Sequence, residues 1–141
     1  MLFRSKTIQN YQVGNSIILD DLPREKYEQI TKECDVGLIV LDPRFTIPNY
    51  PSRILSYMEY AKPVLAATDK VTDIRNLIEE VDCGYWVWSG DELGFFSAIE
   101  DILVDKELVQ KGLRGRKYIE EKLKVEYCVQ ILESHFESNK E

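Results

Sequence analysis

The pattern of apolar and polar residues is most informative in the middle of the chain. A short, almost wholly apolar run, Val36 to Leu41, has the length and the β-branched content of a buried strand. A loop with three prolines follows, then a helix-length segment from Ser52 to Ala61, then a second apolar run from Val64 to Ala67. Strand, loop, helix and strand in this order indicate a βαβ unit. Neither apolar run alternates with polar residues, so we expect both strands to be parallel and buried on both faces.

Strand-like and helix-like segments also alternate on both sides of this unit. Upstream, Ser16–Leu19 is predicted to be a strand and Arg24–Cys34 a helix. Downstream, Tyr85–Trp88 is predicted to be an aromatic strand. Four further helices are predicted from apolar spacing, at residues 72–81, 91–104, 105–123 and 125–136. We therefore expect an α/β fold, with a parallel sheet of about four strands, flanking helices and a helical C-terminus.

Length and composition limit the classes of protein to which the chain can belong. Its 141 residues have ordinary apolar and aromatic content, which predicts a single domain, 1–141, with a real core. The formal charge of −7 argues against a nucleic-acid partner. Three widely spaced cysteines, and no apolar run of membrane-spanning length, predict a cytoplasmic protein with reduced thiols. Cysteine and histidine are too scattered for a metal site, and no cofactor is expected.

The loop and the helix start between the two apolar runs are the best candidate for a ligand site. In a parallel sheet, ligands bind beyond the carboxyl ends of the strands, where this loop lies. A helix that begins near Ser52 would present free backbone N–H groups to a diphosphate, and Arg53 would add charge-assisted hydrogen bonds. Without a ligand, Ser52 would cap the helix and Arg53 would be a solvated surface residue.

The segment 49–69 resembles the donor-binding segment of family-four retaining glycosyltransferases of the GT-B architecture. It is similar in particular to bacterial members that build surface polysaccharide from nucleotide-activated amino sugars. Those enzymes have a P-S-[KR]-[IL]-L-x-Y-M motif, then G-x-P-V and a strand. The matching positions here are Pro51, Ser52, Arg53, Ile54, Leu55, Tyr57, Met58, Pro63 and Val64. The sequence differs at Ala61, where the family usually has glycine, and at Pro48 and Ser56, where many members have glutamates.

This resemblance implies a role for each candidate site residue. The expected contacts with the donor diphosphate come from Tyr50, Ser52, Arg53 and Ile54. The expected contacts with the donor sugar or ribose come from Asn49, Ser56, Thr68 and Asp69. By residue type alone, an ordinary loop role also fits Asn49, Tyr50, Thr68 and Asp69. The resemblance favours a uridine diphosphate sugar as the donor, bound without a metal ion.

The resemblance also implies that the chain is the later part of the Rossmann-like C-terminal domain of such an enzyme. The family's first domain and the first strands of its second domain have no counterpart here. We therefore expect the chain to bind the nucleotide-sugar donor in polysaccharide, O-antigen or capsule biosynthesis, and to be inactive alone. A lipid-linked or glycan acceptor would be bound by the missing domain, at the inner face of the membrane. The edge of a truncated sheet favours a homodimer.

Two other interpretations fit parts of the pattern. Asp20-Asp21, Asp42 and Thr68 resemble the acidic pair, the phosphorylated aspartate and the switch threonine of a receiver signalling domain, whose fold class is similar. However, the spacing between Asp21 and Asp42 leaves no room for the strand that a receiver has there. The strand Tyr85–Trp88 is also not followed by a lysine and proline. The third interpretation is a non-catalytic module that binds a nucleotide or another chain.

Overall fold

The computed structural model describes residues 15, 17, 19, 21–45, 47 and 50–138, without the side chains of residues 128, 137 and 138. Its helices are α1 (Arg24–Glu33), α2 (Arg53–Glu59), α3 (Ile74–Val81), α4 (Glu92–Val104), α5 (Leu108–Lys122) and α6 (Val125–Ser138). Its strands are β1 (Gly37–Val40), β2 (Val64–Thr68) and β3 (Gly84–Trp88). The chain divides into two compact units, residues 1–30 and 31–141, and the whole sheet lies in the second.

The three strands form one parallel sheet in the order β1-β2-β3. Leu38 is opposite Leu65, and Leu65 is opposite Tyr85, so strands that follow each other in the chain are also neighbours in the sheet. Helices α2 and α3 connect them, as in Rossmann-like folds. The predicted α/β class is confirmed, with three strands among the described residues. Residues 16 and 18, half of the expected fourth strand Ser16–Leu19, lie outside them.

The two strands of the central βαβ unit differ in burial. All five residues of β2 are buried, as its unbroken apolar sequence predicts. In β1, Ile39 is buried, but Leu38 and Val40 are 46% and 52% exposed. The expectation that both strands are buried on both faces is therefore correct for β2 and wrong for β1. The physical reason is that α4 packs against β3 and Leu65 and leaves the corresponding face of β1 in contact with solvent.

Two apolar clusters pack on opposite faces of the sheet. The larger one joins α2 and α3 to the strands through Ile39, Ile54, Met58, Val64, Ala66, Ile74, Leu77, Ile78, Val81 and Cys83. The smaller one joins α4 to β2 through Leu65, Ala98 and Ile102. Because Ile54 and Met58 are fully buried, α2 is fixed against the sheet, with its first turn at the carboxyl end of β1.

Helix α5 packs against α2 at two glycines. A Cβ atom at Gly112 would collide with the carbonyl oxygen of Ala61, and one at Gly115 would press on the side chain of Met58. The guanidinium of Arg116 also donates a hydrogen bond to the carbonyl of Glu59. These close contacts hold the C-terminal end of α2.

The turn between α2 and β2 contains a strained residue. Ala61 has φ of 54°, in the left-handed region that favours glycine. Its N–H donates to the carbonyl of Met58 at 3.0 Å, and the N–H of Lys62 donates to the carbonyl of Tyr57 at 2.8 Å, which ends the helix. A residue with a Cβ atom pays roughly 1–2 kcal/mol for this conformation.

Candidate functional site

An open pocket of about 240 Å³ lies at the carboxyl end of β1. It is lined by Ile39, Val40 and Leu41 from the strand and by Tyr50, Pro51, Ser52 and Arg53 from the start of α2. This is the position at which parallel sheets bind ligands. Its volume is below the roughly 300–1,000 Å³ of a site that encloses a whole drug-sized ligand. The pocket alone therefore suits one moiety of a larger ligand.

Some of the backbone N–H groups in the first turn of α2 already donate hydrogen bonds within the turn. The N–H of Ile54 donates to the carbonyl of Pro51 at 3.0 Å, and the N–H of Leu55 donates to that of Ser52 at 3.1 Å. Among the described residues, this leaves the N–H groups of Ser52 and Arg53 without a partner. The helix has only seven residues, so its dipole is also small. Side chains must then supply most of the affinity for an anion.

Ser52 does not use its side chain to cap α2. It has helical backbone angles, φ of −56° and ψ of −20°, and makes no capping hydrogen bond. A capping serine has an extended backbone and accepts a hydrogen bond from an N–H group in the first turn. The alternative interpretation of Ser52 as a capping residue is therefore wrong, and the residue lines the pocket instead.

Arg53 differs from the other described arginines. Its side chain is exposed and has no ion-pair or hydrogen-bond partner among the described residues. The others each pair with a carboxylate, that of Glu28 for Arg24, Asp42 for Arg44, Glu79 for Arg75, Asp82 for Arg114 and Glu120 for Arg116. A cation left unpaired beside a pocket, in a chain of charge −7, is available to an anionic ligand. That contact stays a prediction.

Tyr50 lies beside Arg53 in the pocket lining and is 42% exposed. Partial burial, with smaller contributions from Tyr118 and Cys83, raises the pKa of Tyr50 to about 12. Its phenol group therefore keeps its proton at neutral pH. A protonated phenol can donate a hydrogen bond, but the contact of Tyr50 with a diphosphate stays a prediction.

Two other predicted site residues, Ile54 and Ser56, lie apart from this pocket. The side chain of Ile54 is fully buried in the core, and its N–H is bonded to Pro51. Ser56 is partly buried on α2, and its carbonyl accepts from the N–H of Tyr60 at 3.3 Å. Neither residue lines the pocket. Asn49 lies outside the described residues.

The carboxylate of Asp69, after β2, is used inside the protein. Its Oδ1 accepts from the N–H groups of Val71 and Thr72 at 2.8 and 2.9 Å, and its Oδ2 accepts from the Thr72 hydroxyl at 2.6 Å. Burial by itself would raise the pKa of Asp69, but these hydrogen bonds outweigh it and hold the pKa below its ordinary value. Asp69 is 1% exposed and organises its own loop.

Thr68 has a similar internal role. Its Oγ1 accepts from the indole N–H of Trp86 at 2.8 Å and donates to the carbonyl of Asp69 at 3.1 Å. The residue is fully buried. Sequence reasoning did not identify Thr72 and Trp86 as the partners of this loop. The spacing of Asp69 and Thr72 carried a local signal, because an aspartate side chain often bonds to groups two or three residues on.

Among the described residues of the receiver pattern, the side chains of Asp42 and Thr68 have partners inside the protein. The carboxylate of Asp42 accepts from the backbone N–H of Arg44 at 2.9 Å and from its guanidinium at 2.6 Å. Arg44 therefore holds the pKa of Asp42 well below its usual range. Thr68 is bonded to Trp86 and Asp69, and Asp20 lies outside the described residues. Within the described residues, no contact favours phosphoryl transfer to Asp42.

Comparisons with known proteins add nothing to this geometry. No protein family, curated protein or solved structure matches the chain. In the part of the chain that the structure describes, no group of three or more His, Cys, Asp or Glu residues could hold a metal ion. None of the described helices is long and apolar enough to cross a membrane. Function must therefore be argued from the pocket and from the motif that lines it.

Proposed function

We propose that this chain binds the nucleotide-sugar donor of a retaining GT-B glycosyltransferase that builds surface polysaccharide. The observation that carries the proposal is the pocket at the carboxyl end of β1, where Tyr50, Ser52 and Arg53 line one opening. These residues belong to the segment that resembles the family's donor-binding motif. The proposed donor is a uridine diphosphate sugar, and the proposed acceptor is a lipid-linked or glycan molecule held by a further domain at the inner face of the membrane.

The turn at Ala61 also supports the proposal. The family motif has glycine at this position, and the backbone there has φ of 54°, which glycine adopts without strain. The motif glycine therefore has a physical reason in the present turn, even though alanine occupies it. Ser56, in contrast, replaces a longer acidic residue and lies outside the pocket lining, so we propose no ribose contact from its side chain.

The chemical contribution of this site would be to stabilise the departing diphosphate. Negative charge develops on the diphosphate as its bond to the anomeric carbon breaks. The guanidinium of Arg53, the phenol of Tyr50 and the hydroxyl of Ser52 are donors suited to that charge. The acceptor and its binding groups would come from the further domain. We therefore expect the isolated chain to transfer no sugar.

Titration with uridine diphosphate, followed by the chemical shifts of the backbone amides, tests this proposal. We expect weak binding, about millimolar, with shifts concentrated at residues 50–55. Arg53→Ala should lower the affinity about ten- to a hundredfold, because a hydrogen bond to a charged group contributes roughly 1.5–3 kcal/mol. Arg114→Ala is the matched control, since Arg114 pairs with Asp82 just before the amino end of β3.

Equal affinities of the wild type and Arg53→Ala for uridine diphosphate would show that Arg53 is an ordinary solvated residue. That result would remove the main support for the proposal. Shifts at Asp42 and Thr68 on adding magnesium, without a response to uridine diphosphate, would favour the receiver interpretation instead. Robust sugar transfer by the purified chain would contradict the expectation that a further domain is needed.

A further inference from the structure

Helix α6 presents an apolar stripe to solvent. Val125, Val129, Leu132 and Phe136 recur at intervals of four, three and four residues, so they lie along one side of the helix. Their exposed fractions are 74%, 43%, 59% and 66%. Monomeric proteins rarely leave a contiguous apolar patch of this kind exposed to water, so we expect the stripe to pack against a partner surface.

The groove between α2 and α5 is the candidate partner surface on this chain. It has a volume of about 360 Å³ and lies on the described part of the same unit of the chain. Its lining combines the apolar side chains of Leu55, Ile119 and Leu123 with the charged side chains of Glu59, Arg116, Glu120 and Lys124. The residues from α5 are spaced three and four apart, which gives the groove the form that receives the ridge of another helix.

Charge disfavours a second α6 as the partner of the stripe, whereas the charges that line the groove balance, Glu59 and Glu120 against Arg116 and Lys124. The segment Leu108–Lys122 of α5 has five basic and two acidic residues, a formal charge of +3. The segment Val125–Ser138 of α6 has three acidic residues and no lysine or arginine, a formal charge of −3 with His135 neutral. Packing α6 on another α6 would bring like charges together, whereas packing it beside α5 brings opposite charges together. An anionic membrane surface is disfavoured for the same reason.

The connection between the helices favours a contact with another copy. Only Leu123 and Lys124 separate α5 from α6. In its own chain, α6 leaves both the stripe and the groove exposed. A terminal helix on a short hinge can make the same contact with a second copy, which is the usual origin of exchanged dimers.

We propose that α6 packs its apolar stripe into the α2–α5 groove of a second copy of this chain, and that the second copy does the same in return. Each copy then contributes one helix and one groove to a two-fold symmetric dimer. The contact lies outside the pocket at β1, so the proposal stands independently of the ligand.

Sedimentation velocity of the complete chain, across micromolar concentrations, tests the dimer. The double variant Leu132→Glu/Phe136→Glu places two charges in the stripe and should raise the dimer dissociation constant about a hundredfold or more. Ile131→Glu is the matched control, because Ile131 is 51% exposed on the opposite side of the same helix. It should leave the dissociation constant unchanged. A monomeric wild type, or equal effects of the stripe and control variants, would overturn the proposal.

Mixing two variants separates the groove from a pairing of two stripes. Leu123→Glu changes the groove and keeps the stripe, whereas Leu132→Glu/Phe136→Glu changes the stripe and keeps the groove. A mixture restores one of the two proposed contacts, so we expect mixed dimers even though each variant alone is monomeric. If stripes pair with stripes, the Leu123→Glu variant dimerises alone, and that outcome overturns the proposal.

Lys124→Glu, at an exposed position, is a second groove variant that leaves the core untouched and should weaken the dimer several-fold.

Discussion

The loops that follow β1 and β2 lie at the same edge of the sheet but use their polar groups in opposite ways. After β2, the carboxylate of Asp69 and the hydroxyl of Thr68 are consumed by hydrogen bonds within the protein. After β1, Ser52 makes no capping bond, and Arg53 has no partner among the described residues. Polar groups that are satisfied internally hold a scaffold together, whereas polar groups left beside an opening are free to bind. The difference therefore supports the loop after β1 as the proposed ligand site.

The largest expected effect comes from removing the carboxylate that organises the loop after β2. Asp69→Ala should lower the free energy of unfolding by about 2 kcal/mol, because three donors lose their acceptor in a covered site. Asp42→Ala, in the loop after β1, should cause no measurable loss, because that carboxylate is exposed and its partner among the described residues is the exposed Arg44. Urea unfolding followed by tryptophan fluorescence measures both. Equal losses would remove the contrast between the loops.

The order of the elements was predictable because the segments have different periods. The apolar runs at Val36–Leu41 and Val64–Ala67 lack alternation, and the helices that follow them repeat every three to four residues. These local signals do not reveal which side of a strand is covered. Leu38 and Val40 read like core residues, yet their exposure depends on where α4 packs. That is a property of the tertiary structure.

The position of the candidate site was also predictable, but the role of each polar residue in it was not. Parallel strands bring their loops to one edge, and this leads to the pocket beside Arg53. Whether a carboxylate such as Asp69 turns toward a ligand or toward its own loop depends on its side-chain rotamer. Residue type leaves both choices open. The same ambiguity explains the wrong alternative for Ser52, since a serine before a helix usually caps it.

Acid titration sharpens the comparison further. The folded protein holds the pKa of Asp69 below its ordinary value, so this residue contributes stability above about pH 4 and loses that contribution as the pH falls through the folded-state pKa. Asp69→Asn removes the titrating group. The difference in free energy of unfolding between wild type and Asp69→Asn should therefore shrink as the pH is lowered below about 4. Asp105 and Glu120, whose pKa values are also lowered, are present in both proteins and cancel in the difference.

A difference that stays constant from pH 7 to pH 3 would mean that Asp69 contributes through packing alone. The loop after β2 would then lack the electrostatic character that distinguishes it from the loop after β1. The same titration with Asp42→Asn measures how much the free-energy difference of an exposed carboxylate changes with pH.

The smallest expected effect on stability is that of Ser52→Ala. Its matched control is the removal of a side chain that does cap a helix, Asp91. The carboxylate of Asp91 accepts from the N–H of Gly94 at 2.9 Å at the start of α4, so Asp91→Ala should lower the free energy of unfolding by about 1 kcal/mol. Ser52→Ala should leave it unchanged, because its hydroxyl makes no capping bond to α2. Its effect should appear in binding instead, as a roughly two- to tenfold loss of affinity for uridine diphosphate. Ser52→Ala that destabilises the fold as much as Asp91→Ala would assign the hydroxyl to the scaffold, and the two loops would no longer differ in kind.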